Sequence, residues 1–396
     1  MASFSQLAAL FTVAMFAFGL SGLAQQSSGA SAAPQPTPTT AAFPPVAGPL
    51  VLPAPRSFHL GPVGTWKAGG LASLMPISQT HPDAGDASTR LEFSNAQAFL
   101  QKPTGRLQFY FQIGAYNFPS LGAPLYSTAT TISRLYGPVP VAYLQITPSA
   151  SFNIQAGKLL PIWGGETTFT FQNMNVERGL LWNQTNAINR GVQLNYNHRA
   201  LSASLSWNDG FYSNRWNWLS GAAAYAWGSK DTLSATAAGN IGRTGYTTFA
   251  TPALQNNSSA YDLIYTRSSG PWKLQPYFQY TRLAQQTAIG ADRTTATLGA
   301  AWLASRSMGQ HWALAARGEI IHNTGKVGGP STNLLYGPGS RAGSVTLTPS
   351  YARRHGYARG EFSWVGVGNA GPGDAFGPFG GNKTQIRGTI EAGVMF

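Results

Sequence analysis

The sequence contains no cysteine, so a disulfide framework and a thiolate metal site are both excluded. Cysteine usage therefore does not indicate whether the protein resides in an oxidising or a reducing compartment. Charged residues are also scarce, at 10% of the chain against roughly 25% in a typical soluble domain. After the first residues, no apolar run approaches the length of about 20 that a membrane-spanning helix requires. Low charge together with only 43% hydrophobic residues is typical of strands that alternate between oily and wet surroundings.

Acidic residues are half as numerous as basic ones, 13 against 26, which gives a formal net charge of +13. The basic residues are spread along the chain, and their longest cluster is Arg353, Arg354 and His355. A nucleic-acid-binding face would concentrate them on one surface, so we expect no nucleic-acid partner. A narrow passage lined by one sign of charge focuses the electric field, so we expect a basic lumen or mouth that attracts anions. A basic surface that only improves solubility is the alternative.

The first 24 residues resemble a signal peptide, with an apolar run at 7–23 and small residues at Gly22 and Ala24. Cleavage after Ala24 would export the protein. The first six residues carry neither Lys nor Arg, so an N-terminal anchor stays open as an alternative. Residues 25–56 are rich in Ser, Ala, Pro, Thr and Gln, which predicts a disordered periplasmic tether. The folded unit is then expected over residues 57–396.

The last twelve residues, QIRGTIEAGVMF, show the pattern that recurs through this unit. Successive strand side chains point to opposite faces, and here one face is apolar while the other carries Arg387 and Glu391. A strand with this pattern needs oil on one side and water on the other. A transmembrane barrel provides both, with lipid outside and a wet lumen inside.

The whole chain reads as all-β, because no helical periodicity competes with the alternation. Long connections, expected outside the cell, alternate with short periplasmic turns, which is how a single transmembrane antiparallel β-barrel is built. A β-sandwich has no reason to alternate loop length so strictly. We predict about sixteen strands, near 65–74, 89–101, 105–115, 140–148, 151–160, 189–198, 200–208, 219–229, 231–241, 258–268, 271–282, 293–305, 310–323, 341–353, 356–368 and 385–396.

Alternate positions of each predicted strand are mainly apolar, and we call them the apolar parity and the positions between them the polar parity. Aromatic residues lie near the predicted strand ends, on the apolar parity. In such barrels, aromatic rings collect at the two membrane interfaces. Their packing in the core of a soluble sandwich is the alternative. The residues are Trp66, Trp207, Trp227, Trp272, Trp302, Trp312, Trp364 and Phe396.

Charged residues of the polar parity are predicted to line the pore. Opposite signs two residues apart on one strand face can create a transverse field that orients polar solutes at a constriction. Such pairs are Arg90 with Glu92, Arg317 with Glu319, and Arg359 with Glu361. The alternative, which is compatible with the first, is that these charges neutralise one another and stiffen the wall. The predicted pore-lining residues are Arg90, Glu92, Arg106, Lys273, Arg317, Glu319, Arg359, Glu361, Arg387 and Glu391.

The connection at 161–188 is the longest, and it follows the third upward strand. In general porins the third long loop folds inward and narrows the pore. By analogy, this loop would place Glu166, Glu177 and Arg178 opposite the arginine-rich wall. An ordinary surface loop is the alternative.

Enzyme and cofactor signals are weak. The glycine pattern GVGNAG at 366–371 follows a strand, but PGDAFGPFGG comes next and cannot open the helix of a dinucleotide site. The six histidines show no paired ligand spacing. We therefore expect no catalytic residue, no metal and no cofactor.

Part of the chain resembles a known family. Gly157 and Lys158, then Gly165 and Glu166, an Asn- and Phe-rich stretch, and GVQLNY at 191–196 are similar to the OmpL-like outer-membrane β-barrel porins. The resemblance is specific over roughly residues 150–200 and diffuse elsewhere. It implies a porin in the outer membrane of a Gram-negative cell, without naming a solute.

Two hypotheses of different classes follow. The first is a passive diffusion channel for small hydrophilic solutes, surrounded by outer-membrane lipid and with a mild preference for anions. Since sixteen-stranded porins are commonly trimers, we expect a homotrimer. The second is a non-conducting scaffold or adhesin barrel whose long loops bind a partner.

Overall fold

The computed structural model describes residues 45–396 except positions 246, 328 and 330–334. The predicted signal peptide and residues 25–44 of the predicted tether lie outside the described residues. In the described part, no helix is both long enough and apolar enough to cross a membrane.

A single antiparallel sheet forms the fold. Each strand pairs with the next along the chain, and β17 pairs with β2, which closes sixteen strands into a barrel. The strands are β1 (Arg56–His59), β2 (Thr65–Gln79), β3 (Thr89–Lys102), β4 (Leu107–Tyr116), β5 (Val141–Ser149), β6 (Phe152–Leu159), β7 (Asn189–His198), β8 (Leu201–Asn208), β9 (Trp218–Trp227), β10 (Asp231–Asn240), β11 (Ser259–Ser269), β12 (Trp272–Leu283), β13 (Thr295–Met308), β14 (Trp312–Asn323), β15 (Arg341–Arg353), β16 (Gly356–Gly368) and β17 (Thr384–Met395).

The sixteen predicted strands are confirmed, and most bounds agree within two residues. The first barrel strand runs on to Gln79, beyond the predicted end at 74, because its pairing with β3 continues past a register shift between Ser73 and Leu74. The extra strand β1 was not predicted. It pairs only with the start of β2, with Phe58 opposite Trp66.

Burial in this barrel is the reverse of that in a soluble protein. On β17 the apolar parity is exposed, with Ile390 at 56% and Val394 at 51%, while Arg387 and Glu391 on the polar parity are at 2% and 0%. Charged residues are almost never buried, and large apolar residues seldom exposed, when water surrounds a protein. The outer surface therefore matches a lipid environment and excludes the sandwich, in which the apolar faces would be covered.

Several of the predicted interface aromatics lie on this outer surface at strand ends. Trp207 is 50% exposed and Trp312 is 51% exposed. Trp207 donates its indole N–H to the carbonyl oxygen of Trp216 at 2.9 Å, which leaves the apolar part of the ring outward. Trp66 differs, being buried against Phe109 with ring centroids 5.9 Å apart.

Helical segments are short and lie in connections. They are the α-helical turns Thr128–Thr131 and Ala253–Asn256, the π-helical turn Ile132–Tyr136, and the 3₁₀ turns Gly61–Val63, Thr170–Gln172, Leu181–Gln184 and Thr287–Ile289.

The described end of the predicted tether is packed, contrary to the expectation of a free segment. Ala47 donates its backbone N–H to the carbonyl oxygen of Phe171, at 3.0 Å. Leu50 is 4% exposed and belongs to a buried cluster that includes Phe99 and Met395. The other side chains of this cluster come from connections and from strand positions that face the barrel interior, which we call the inner parity. Residues 45–52 therefore lie inside the barrel. Apolar contact and one hydrogen bond offset the low propensity of this segment for order.

Candidate functional site

The long connection between β6 and β7 lies inside the barrel. Apart from Pro161, Thr167 and Asn183, its residues from 161 to 188 are buried. It also pairs with the neighbouring long connection: Arg178 donates its backbone N–H to Pro119 at 3.0 Å and accepts one from Leu121 at 2.9 Å. We call residues 161–188 the inner loop.

Two wall glutamates bind the backbone of the inner loop. The Glu361 carboxylate on β16 accepts the N–H groups of Val176 at 2.5 Å and Glu177 at 2.9 Å. The Glu319 carboxylate on β14 accepts those of Leu180 at 2.9 Å and Leu181 at 3.2 Å. A carboxylate accepts several hydrogen bonds at once, so each glutamate satisfies two loop donors that would otherwise be orphaned.

Three wall arginines bind loop carboxylates and carbonyls. Arg317 contacts Glu166 at 2.6 Å and the carbonyl oxygen of Glu177 at 2.7 Å. Arg387 contacts the Glu177 carboxylate at 3.0 Å and two carbonyl oxygens of the preceding long connection.

The third wall arginine, Arg359, forms a two-pronged ion pair with Glu391, its partner across the β16–β17 ladder. It also donates to the carbonyl oxygen of Asn173 at 3.0 Å. All three guanidinium groups are fully buried and paired, which is the arrangement that offsets the cost of removing charge from water.

Close approach to the wall restricts the loop sequence. A Cβ atom added to Gly179 would lie 2.1 Å from a carboxylate oxygen of Glu319. Only glycine therefore allows the loop backbone to reach this carboxylate.

The structure brings together nine of the residues that the sequence singled out. The wall contributes Arg317, Glu319, Arg359, Glu361, Arg387 and Glu391, and the loop contributes Glu166, Glu177 and Arg178. Of the opposite charges two residues apart, Arg317 and Glu319 contact each other at 3.4 Å. Arg359 and Glu361 do not, since Arg359 pairs across the ladder and Glu361 binds the loop. The charges thus fasten the loop to the wall.

Four predicted pore-lining residues lie apart from this cluster. Arg90 pairs with Asp86 at 2.8 Å, and Glu92 accepts two hydrogen bonds from Thr128, so neither pairs with the other as expected. Arg106 is an exposed residue of the turn before β4, because the strand begins later than predicted. Lys273 is half-buried on the inner parity at the start of β12.

Several polar residues that complete the site were not singled out. Thr170 and Asn95 donate to Glu391, Thr348 donates to Glu361, and Ser344 donates to Glu319. Three of them sit on the inner parity of strands, which is the only sequence signal that marks them. Such hydroxyl and amide groups are too common on that parity to be selected from sequence.

The charges of the cluster nearly cancel. Its four arginines, Arg178, Arg317, Arg359 and Arg387, face five glutamates, Glu166, Glu177, Glu319, Glu361 and Glu391, which leaves these nine residues with a formal charge of −1. Asp262 is a further buried acid, outside the cluster, and accepts the backbone N–H of Gly164 at 2.9 Å. Burial raises the pKa of Glu166, and the nearby guanidinium of Arg317 opposes this rise.

Arg178 differs from the other buried arginines. Its guanidinium packs against the rings of Trp182, 4.7 Å from the centroid, and Phe118, 5.7 Å from the centroid. Among the described residues, none is a hydrogen-bond partner of its three side-chain nitrogens. Burial lowers the pKa of Arg178 to about 9, which leaves the group charged at neutral pH.

Comparison with known proteins agrees with this architecture. A model of the family described as "Putative beta-barrel porin-2, OmpL-like" matches residues 75–396. The chain belongs to this family. It is therefore a porin-like barrel of the outer membrane, as the resemblance near residues 150–200 implied. No curated protein matches the chain.

Solved structures show the same fold at low sequence identity. The outer membrane channel DcaP of Acinetobacter baumannii is similar with a TM-score of 0.57 and 10% identity, over 86% of this chain and 99% of that one. OmpT of Vibrio cholerae has a TM-score of 0.55 and 10% identity, over 85% and 99%. OmpF of Salmonella typhi, solved with daunomycin, has a TM-score of 0.51 and 11% identity, over 86% and 100%.

No group of three or more His, Asp or Glu side chains in the described residues has a geometry that would hold a metal ion. The buried carboxylates are occupied by arginine or backbone donors, so the arrangement suits positioning of a loop and of charge.

Proposed function

We propose that this OmpL-like barrel is a passive diffusion channel for small hydrophilic solutes, with a mild preference for anions. The observation that carries the proposal is the inner loop, which is fastened by buried charges within a barrel whose outer surface is apolar. A loop held in this way narrows a passage and lines it with polar groups, so it filters solutes by size and charge.

The proposed anion preference rests on the mouth more than on the wall. The wall arginines are paired with glutamates, so their fields largely cancel. The long connections form the mouth of the barrel, and they carry exposed basic residues: Arg134, Arg243, Lys326 and Lys383. A rim of positive charge raises the local concentration of anions at a channel entrance.

Tight packing in the lumen favours a second candidate, a non-conducting scaffold whose long loops bind a partner. The inner-parity residues Ala315, Leu303 and Thr346 are each at most 3% exposed, in addition to the buried loop. The two candidates differ in one property, which is the passage of ions.

Single-channel recording in planar bilayers tests the proposal. We expect discrete, small conductance steps and a reversal potential in a salt gradient that favours anions. Charge reversal at the mouth, Arg243→Glu with Lys383→Glu, should weaken that preference. The absence of steps from correctly folded protein would favour the scaffold, and an unchanged reversal potential in the double variant would refute the role of the rim.

The remaining features of the proposal concern export and assembly. We propose that residues 1–24 direct export and are removed, and that the mature barrel forms a homotrimer in outer-membrane lipid. Cross-linking of the native protein in membranes, followed by gel electrophoresis without heating, should show a three-subunit species.

A further inference from the structure

Arg178 is the buried cation of the inner loop that lacks an acceptor. Its side chain is 0% exposed, and among the described residues none is a hydrogen-bond partner of Nε or of either terminal nitrogen. In contrast, Arg317, Arg359 and Arg387 each contact a carboxylate at hydrogen-bond distance. A guanidinium carries five N–H donors, and a buried charged donor without an acceptor is costly. Arg178 is therefore a strong hydrogen-bond donor that has no acceptor among the described residues.

The carboxylates around Arg178 are already occupied. Glu166 accepts from Arg317 and from the backbone N–H of Gly179 at 2.8 Å. Glu177 accepts from Arg387, and Glu391 accepts from Arg359. These three acids stabilise the charged form of Arg178 through their negative charge, but none of them accepts a hydrogen bond from it. An acceptor for Arg178 must therefore come from outside this set.

Aromatic rings hold the guanidinium in position. Trp182 and Phe118 contact it at 4.7 Å and 5.7 Å, distances at which a cation is attracted by the face of a ring. Phe118 in turn packs on Phe169, with centroids 6.0 Å apart, and is itself only partly buried. The rings accept no strong hydrogen bond, so they orient the group and leave its N–H donors free. Since Arg178 is 0% exposed, a solute reaches these donors only when a neighbouring side chain moves, and Phe118 is the more exposed of the two rings.

We propose that Arg178 is the binding site of the inner loop for the carboxylate group of a permeating solute. The planar fork of a guanidinium matches the two oxygens of a carboxylate, which it binds through two parallel hydrogen bonds. A halide is a single acceptor atom, so it cannot form two parallel hydrogen bonds with the fork. The assignment rests on the proposed channel function, because the solute must enter the lumen to reach Arg178.

Calorimetric titration of the detergent-solubilised full barrel with sodium acetate tests the site without requiring conduction. The wild-type protein should bind acetate, and Arg178→Gln should bind it at least about tenfold more weakly, as expected for loss of a charge-assisted hydrogen bond. The matched control is Arg267→Gln, which removes the same charge from an exposed position paired with Asp231. This control should bind acetate as the wild type does.

If Arg178→Gln does not fold, a conservative variant provides the test in its place. Arg178→Lys retains the charge and loses the fork, so its acetate affinity should fall by at least about threefold while its chloride affinity stays unchanged. Equal acetate affinity in the wild type and the Arg178 variants, no binding by the wild type, or equal affinity for chloride and acetate would each overturn the proposal. Conductance of the same samples in bilayers is a separate readout, so a failure of the channel function is recognised independently.

Discussion

Replacement of Glu361 by alanine should release the inner loop from the wall. The Glu361 carboxylate is the acceptor for the backbone N–H groups of Val176 and Glu177 and for the hydroxyl of Thr348. Each buried donor left without an acceptor costs about 1–3 kcal/mol, so loss of the two loop N–H partners weakens the attachment by about 2–6 kcal/mol. Since every 1.4 kcal/mol is a tenfold change, the open population of the loop should rise by at least about 30-fold.

Limited trypsin digestion measures this opening. Arg178 lies two residues beyond Val176 and is fully buried, so the wild-type loop should resist cleavage there. Cleavage through a transient opening follows the population of the open form when closing is fast. The rate of appearance of the fragment ending at Arg178, followed by mass spectrometry, should therefore rise by at least about 30-fold in Glu361→Ala.

A control variant separates loop release from general loosening of the barrel. Glu92→Ala removes a carboxylate that binds Thr128 in a different long connection. It should leave cleavage after Arg178 at the wild-type rate. If Glu361→Ala and Glu92→Ala are cleaved after Arg178 equally slowly, the inner loop does not depend on the Glu361 contacts and the reasoning is wrong.

Three further predictions follow from burial. Arg359→Met leaves Glu391 buried without its partner and should lower the free energy of unfolding in urea by about 3–5 kcal/mol. Adding Glu391→Leu should restore part of this stability. A double variant no more stable than the single one would contradict the pairing. Ile390→Arg places a charge on the lipid face and should cost about 2–4 kcal/mol in lipid vesicles, and an unchanged urea midpoint would place that face elsewhere. Leu50→Asp puts a charge into the apolar cluster inside the barrel, so residues 45–52 should leave the lumen and single-channel conductance should increase; equal conductance would show that this segment does not obstruct the passage.

The barrel was predictable because alternation and loop length are local properties of the sequence. A one-residue slip would turn every apolar side chain of a strand inward, so the apolar parity also specifies register. The sixteen strands follow from this rule alone. The segment from Ala47 to Leu50 could not be placed in the same way, since its few apolar residues have no period and are positioned by contacts with distant strands.

The site was predictable in composition and less so in pairing. Polar parity selected Glu319 and Glu361, but their loop partners are backbone N–H groups, and every residue type except proline offers such a group. Spacing along one strand suggested that Arg90 would pair with Glu92, whereas each binds a residue of a connection. Which residues pair depends on contacts between segments far apart in the chain, and the alternation pattern does not specify those contacts.

A cysteine scan of the last strand is the most direct test of the membrane-facing geometry. The chain has no native cysteine, so single substitutions from Gln385→Cys to Val394→Cys can each carry one nitroxide label without a background variant. In lipid vesicles, labels at Ile386, Ile390 and Val394 should collide often with dissolved oxygen, and labels at Gln385 and Thr389 should be shielded. This period of two is the result that an apolar outer face and a filled polar interior predict. Equal oxygen accessibility on both parities, or the reverse alternation, would contradict it.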